Sequence, residues 1–518
     1  MSDPHFQQFL DQFIPEAARK STQANQALWL LETTGSNDAA ALKGSLDTEL
    51  RVMFSNPQQY KQLLGWKVND PLLQRQLHVL KHAFQGNQID KQLLETISQK
   101  EAQLSQSYAS FRPTIDGKPV SENQIRDVLK SEKNVGKRKQ AWEASKSIGA
   151  VLAPQILELV RLRNQAAKSL GFSDYFQMQL QLQDVDGKWL LHTFDTLSRE
   201  SDKAYLKIRA EIDNVLAKRF HVQPSELGPW AWSDPFCQED PLDSQELDAL
   251  VEGTDLVQAS KAFYDRLGIP VDEILFRSDM FERPGKNQHA FCIHMDKAGD
   301  IRTLNNVKPS IKWLETVLHE LGHAVYEVGL DTKLPWVLRE PPHMITTEAM
   351  ALLAGRQAYK KQPLKGLVVS KNNALLEQVD QSLKRRQLIF SRWVLVMTAF
   401  ESELYRNPAQ DLNGLWWHLV EKHQHITPPP GRKGLSDWAC KYHLGLAPVY
   451  YFSYLLGELF ASAIQTVLPT PALDTPETGQ FLQKKLFQPG SRMPWDELVR
   501  HTTDKPLSME PWLAEFCC

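Results

Sequence analysis

Five consecutive residues, His319-Glu320-Leu321-Gly322-His323, restrict this chain more than any other stretch. On an α-helix, residues four apart lie on one face, so His319 and His323 present two imidazoles to one point while Glu320, one step round, sets a carboxylate beside it. That donor pair with a neighbouring acid suits zinc. The flanking residues predict the helix itself. Pro309-Ser310 offers a start with Ser310 as N-cap, and Ile311, Leu314, Leu318, Leu321 and Val325 recur at helical spacing up to a stop near Gly329.

A zinc ion that does chemistry takes three protein ligands and keeps one position for water, so a third ligand must come from outside the motif. Glu327 is on the same helix, about 12 Å along the axis from His319, and cannot converge on the same ion. Gly329 stands where a third histidine six residues past His323 would be needed, and His343 stands where a thermolysin-type site has its acid, so neither spacing is met. Beyond Pro341-Pro342 a second helix is expected to open at Thr346-Thr347-Glu348 and to continue through Ala349-Met350-Ala351-Leu352-Leu353. Glu348, in its first turn, is the favoured third ligand, and Glu340 in the Pro-bounded loop is the weaker candidate.

Composition narrows the partners. A formal charge of -3 over 518 residues argues against a general nucleic-acid binder or a basic membrane-surface protein, and 42% hydrophobic residues are ample for a core. The first twenty residues carry Asp3 and Asp11 and no continuous apolar run, so they do not read as a secretory signal, and a cytoplasmic location is expected. Cys237, Cys292, Cys440, Cys517 and Cys518 are odd in number and scattered, which suits a reducing compartment; the terminal pair reads as two thiols in a tail rather than a lipidation signal. Residues 448–468 are apolar enough to suggest a membrane span, but Glu458, Gln465 and three tyrosines would be costly in lipid, so a buried core helix is expected instead.

Taken in order, residues 1–150 form polar amphipathic helices with breaks near Gly35, Pro57, Pro71, Gly86 and a turn at Pro113 to Gly117, an N-terminal helical region that could act as a lid on a core of residues 151–518. A helix from Pro154 stops at Gly171. Long helices are predicted over 187–219 and 241–266, separated by the loop Gly228-Pro229-Trp230-Ala231-Trp232, whose tryptophans read as packing. Residues 287–295 and 301–305 read as a β-hairpin just before the HELGH helix, where an edge strand could bind an extended peptide through its backbone. More helices are predicted at 367–405 and 410–423. After Pro428-Pro429-Pro430-Gly431, Lys441, His443, Tyr450, Tyr451 and Tyr454 crowd polar tips into an apolar run.

These pieces together resemble the angiotensin-converting enzyme (peptidyl-dipeptidase A) family of gluzincin zinc peptidases. The likeness covers about residues 158 to 468: LVRLRNQAAKSLG, the pair His289-Ala290 thirty positions before His319, HELGH, LPWVLRE from Leu334, the TEA containing Glu348, KYH at 441–443, and the spaced tyrosines Tyr451 and Tyr454. The resemblance implies a mainly α fold of two helical halves around a deep active-site cleft, with a small β-hairpin beside the zinc helix. It implies one zinc per chain on His319, His323 and Glu348, and Glu320 as general base. His443 and Tyr454 would steady the oxyanion, His289 and Ala290 would hold substrate backbone, and Lys441 with Tyr451 would anchor the C-terminal carboxylate. The activity implied is hydrolysis of short peptides with a free C-terminus, releasing dipeptides. The alternatives are an oligopeptidase that cuts internally and an inactive peptide-binding module.

Four positions depart from the family pattern. Trp232 stands where a glutamine helps to hold the substrate carboxylate, which bears on dipeptide release. Leu352 stands where an aspartate supports a zinc histidine. Ser453 and Val420 stand where arginines hold chloride, so activity insensitive to chloride is expected.

Overall fold

Short polar residues placed just ahead of apolar runs set the helix starts. In the computed structural model, which describes residues 3–242, 245–370, 372–470 and 472–518, the chain is mainly α-helical. Ser36, Asn56, Asp70, Asp90 and Ser121 each accept a backbone N–H from the first turn of the helix that follows, and Pro57 and Pro71 occupy first helical positions. The breaks expected in the first 150 residues fall at these caps. The Pro113 to Gly117 turn is a minimal antiparallel pair, Thr114–Ile115 with Lys118–Pro119, turned at Asp116 and Gly117, both with positive φ.

Two expected helices are shorter than the periodicity suggested. In place of one helix over 241–266 there is a 3-10 turn, Gln245–Leu250, and then a separate helix, Leu256–Arg266. Gly253 adopts a left-handed φ of 73°, and Asp255 caps the new helix by accepting from Val257 and Gln258. Likewise the helix expected from 367 begins at Val379 and runs to Arg406, after a short turn, Asn373–Leu376, capped by Asn372. The long helix Gly187–Phe220 and the helix Leu412–Gln424 lie where expected.

The chain forms two compact units, each assembled from distant stretches. The first comprises Met1–Gln88, Gln245–Asp380 and Leu456–Pro511; the second comprises Ile89–Ser244, Gln381–Leu455 and Trp512–Cys518. In the first unit, Phe6, Leu10, Phe13, Trp66, Leu77 and Phe84 from the N-terminal helices close over Leu334, Val337 and Leu338 of the LPWVLRE segment. The segment 448–468 forms the helix Phe452–Val467, with Leu456, Leu459, Phe460 and Ile464 buried. Its buried Glu458 accepts from Arg356 Nε at 2.8 Å, while Arg356 also donates to the Glu458 carbonyl and to Ser462. No helix among the described residues is long and apolar enough to cross a membrane.

The hairpin forms in the expected place, trimmed to Phe291–His294 and Ile301–Leu304, antiparallel with Cys292 opposite Thr303. Leu304 also bridges to Asp279, so Ile301–Leu304 is the inner strand and Phe291–His294 the outer one. The outer strand is tied to the HELGH helix by His294 Nδ1, 3.0 Å from Glu327, and to the first helix by Asn25, which donates to the His294 and Met295 carbonyls. The Gly299 N–H donates to His294 Nε2, so Nδ1 carries the proton given to Glu327.

Candidate metal centre and active site

The HELGH helix spans Ile311–Val328, and Ser310 caps it by accepting from Trp313. Its apolar stripe, with Leu314, Val317, Leu318, Leu321 and Val325 buried, turns the opposite pair His319 and His323 toward the helix Met344–Gly355. The two imidazoles sit 4.9 Å apart at 86°. Glu348 Oε2 lies 3.7 Å from His319 Nε2 and 3.9 Å from His323 Nε2. A tetrahedral zinc with bonds near 2.0–2.1 Å needs its donors about 3.4 Å apart; both separations from Glu348 are close to that, and the ligand atoms of all three residues lie within 4.8 Å of one another.

Protonation states agree with that use. Burial pushes His319 down to about 4, against the opposing pull of Glu315, and holds His323 well below the usual imidazole range. Both rings are therefore neutral near pH 7, the form that binds metal. His323 Nδ1 lies 2.8 Å from Thr347 Oγ1, and His319 hydrogen-bonds the backbone at Ala351. The helix that carries Glu348 thus also orients both imidazoles, and the Thr347 contact leaves Nε2 of His323 to face the ion. From the other side, Tyr264 donates to the carbonyl of Leu318 at 2.6 Å and fixes the backbone one residue before His319. Glu320 is buried, and burial with the neighbouring Glu348 carboxylate raises it to about 8. The donor set fits zinc.

The remaining acids near the motif are otherwise engaged. Glu340 pairs with Lys297, whereas Glu348 is the acid that comes together with the two histidines. Glu327 is held by His294, and His343 caps its own helix by accepting from Ile345. His289 is exposed and Ala290 half-buried, both in the segment that leads into the outer strand of the hairpin.

The second unit gathers the other expected residues. Lys441 Nζ donates to Gln238 Oε1 at 3.2 Å and lies 5.2 to 5.6 Å from the rings of Phe236, Trp393 and Tyr451. Burial lowers Lys441 to about 8, against the pull of Asp234. The Trp393 indole donates to the Tyr451 hydroxyl at 3.0 Å, which leaves the phenol proton free to be given away. His443 packs 4.8 Å from Tyr451, and Tyr451 packs 5.5 Å from Tyr454.

The structure answers the departures one by one. Trp232 is buried and packs under Arg209, but Gln238, six residues on, brings an amide to Lys441. Gln238 is held there because Asp234 accepts the N–H groups of Phe236, Gln238 and Glu239 and folds the loop back. Leu352 is answered by Thr347, whose hydroxyl supports His323. Val420 lines a small cavity together with Trp416, Trp417 and Lys146, whose amine is pushed below its ordinary pKa by burial.

Thr347→Val, which keeps the shape but removes the hydroxyl, is expected to weaken zinc binding about tenfold, and Thr347→Ser to restore it. Competition with a chromophoric chelator measures both, and equal affinities in the valine and serine proteins would remove Thr347 from the site's support.

The model of Peptidase family M3 matches residues 128–517, and that of Angiotensin-converting enzyme matches residues 2–226. Among curated proteins, the angiotensin-converting enzyme of Bos taurus is 23% identical over 566 aligned positions, covering 98% of this chain and 42% of its own length. The enzyme of that name from Oryctolagus cuniculus is 23% identical over 80% of this chain and 35% of its own length. That from Theromyzon tessulatum is 21% identical over 96% of this chain and 88% of its own length. The chain therefore spans only about two fifths of the bovine relative's length, while the likeness to angiotensin-converting enzyme runs along nearly all of the chain itself. Because the wider match takes in the HELGH helix, Glu348 and the residues around Lys441, the chain belongs to peptidase family M3.

Proposed function

We propose that this chain is a zinc-dependent metallopeptidase that shortens peptides from a free C-terminus and releases dipeptides. The observation that carries this reading is the convergence of His319, His323 and Glu348 with Glu320 on the same helix. Zinc held by those three residues supplies Lewis acidity, lowering the pKa of a bound water toward about 7 and polarising a carbonyl. Glu320 accepts the proton of the attacking water on its carboxylate and passes it to the leaving amine. The resemblance gives His443 and Tyr454 the part of oxyanion donors, each such donor contributing about 3 kcal/mol. His289 and Ala290 hold the peptide backbone alongside the outer strand of the hairpin.

Lys441, Gln238 and Tyr451 form the anchor for the substrate's C-terminal carboxylate: one ammonium and two neutral hydrogen-bonding groups against aromatic walls. Their grouping supports exopeptidase action over internal cutting, and Thr347 removes the reason for reading the site as decayed. The first helix, bonded to the hairpin through Asn25, supports a lid-like role for the N-terminal region. A cytoplasmic setting is supported by the five free thiols.

The test is zinc content by elemental analysis together with mass spectrometry of products from matched peptides with free and amidated C-termini. Dipeptide release from free ends alone is expected; equal cleavage of both sets at internal bonds would replace this reading with an oligopeptidase. Lys441→Met is expected to raise KM for free-ended peptides about tenfold. A further consequence follows from the depressed Lys441 pKa. Below about pH 8 the ammonium is charged and binds carboxylate; above it the amine is neutral, so kcat/KM for free-ended peptides should fall as pH rises through about 8. That limb should vanish in Lys441→Met.

A further inference from the structure

In the second unit, the segment from Cys440 to Tyr451 carries Lys441 and Tyr451 of the anchor, and side chains from other elements grip its backbone. Tyr108 donates to the Cys440 carbonyl at 2.9 Å. Arg163, itself 2% exposed, donates to the Gly445 carbonyl at 2.7 Å and is paired with Glu101 at 2.7 Å. Glu401, 3% exposed on the helix Val379–Arg406, accepts the Val449 N–H at 2.7 Å.

Val449 is the unusual member. It has φ of 56°, in the left-handed region, and is 2% exposed. A β-branched residue rarely adopts that backbone, because its Cβ substituents crowd the chain on both sides; the conformation persists only where surroundings impose it. The turn it makes is the one that separates the short helix His443–Leu446 from Tyr450 and Tyr451. Without the strain the chain would relax toward negative φ and rotate the tyrosines that follow.

We infer that Glu401 is a positioning residue. By capturing the Val449 N–H it holds the strained turn that aims Tyr451 at the substrate carboxylate, although it touches no substrate itself. This rests on the proposed function only for what Tyr451 binds. The buried carboxylate has one further charged neighbour, Arg163, which favours its ionised form, while burial pushes it up to about 8. An amide at this position would still accept the bond through its carbonyl oxygen, so the role belongs to the acceptor and not to the charge.

The experiment compares four proteins: wild type, Glu401→Gln, Glu401→Leu, and Glu401→Leu combined with Val449→Gly. Glu401→Gln should stay within about twofold of wild type. Glu401→Leu should raise KM for free-ended peptides about tenfold, with zinc content unchanged, because an unrestrained left-handed valine is disfavoured by roughly that factor. Adding Val449→Gly should bring KM back toward wild type, since glycine adopts positive φ without a holding bond. A glutamate that mattered only for packing would not be rescued by a change at residue 449. Should Glu401→Leu alone fail to fold, the double variant is expected to be soluble with near-normal KM. An unchanged KM in Glu401→Leu, or a double variant no better than the single one, would overturn the inference. Wild-type protein that hydrolyses no peptide would instead count against the proposed function, and the same four proteins would then be compared by the indole N–H resonance of Trp393, assigned by its loss in Trp393→Phe, which should shift in Glu401→Leu and return in the double variant, an unshifted signal overturning the inference.

Discussion

Glu320→Ala protein is expected to bind zinc as wild type does and to lose about three to four orders of magnitude in kcat/KM. The two halves of that expectation have separate causes. Zinc binding survives because Glu320 is not one of the three convergent donors, and its removal takes a second carboxylate away from Glu348. Turnover fails because the other acids near the motif are engaged elsewhere: Glu327, farther along the helix, is held by His294, and Glu340, in the loop beyond it, pairs with Lys297. Burial and Glu348 lift the Glu320 carboxyl to about 8, and a bound zinc ion would draw that value back toward about 7, where a general base works best. Elemental analysis and single-turnover hydrolysis of a free-ended peptide measure the two halves independently. Normal turnover in the alanine protein would mean that the base lies elsewhere in the chain.

Which parts of this site could be read in the sequence follows from how local their causes are. The HELGH helix is specified by its own residues, a serine cap and a 3.6-residue apolar period, so its limits were legible almost to the residue. The Glu348 helix was legible as well, from the Pro-Pro break and the apolar run after it. The hairpin was legible in position but too long, because the residues before Phe291 are fixed by other means: the Asn287 N–H donates to the Glu32 carbonyl at 2.8 Å, and the Asn287 carbonyl accepts from the Asn306 amide at 2.9 Å. Thr347 was not legible, because the family pattern points to a carboxylate one turn after Glu348, and a hydroxyl one residue before it leaves no comparable mark. Gln238 escaped because spacing matched Trp232 to the expected glutamine, while the Asp234-Pro235 turn that carries Gln238 back to Lys441 is visible only as an Asx signal. The overlong helix over 241–266 is a plainer case: Gly253 and Asp255 were a stop and a cap already present in the sequence. Periodicity reports which face of a helix is apolar, not which distant segment covers it, so the assembly of each unit from separated stretches was not legible at all.

The second large effect is expected at Gly322, the residue of the motif that takes no part in the chemistry. A methyl group there would lie 2.7 Å from Ala351 Cα and 3.2 Å from Ala351 N and the Met350 carbonyl oxygen. All three atoms are backbone, so no side chain can swing aside, and the Glu348 helix must move off the HELGH helix to make room. Glu348 and Thr347 sit one turn away on the helix that moves, and they would be carried with it. Behind them Gly457 already approaches Glu348 so closely that a Cβ there would stand 3.0 Å from the Glu348 Cβ, so the helix is confined on both sides. Gly322→Ala is therefore expected to cost about 1–3 kcal/mol of stability and, because metal sites tolerate only about 0.5 Å of donor displacement, to weaken zinc binding about a hundredfold. Gly44→Ala is the control. That glycine lies in the helix Asn37–Phe54 with nothing within 4 Å of the added methyl, so alanine should stabilise the protein by about 0.5–1 kcal/mol and leave zinc affinity unchanged. Thermal melting and chelator competition on both variants give the comparison. Wild-type zinc affinity in Gly322→Ala would mean that the two helices can separate without disturbing the ligands, and the close approach at Gly322 would then be packing alone.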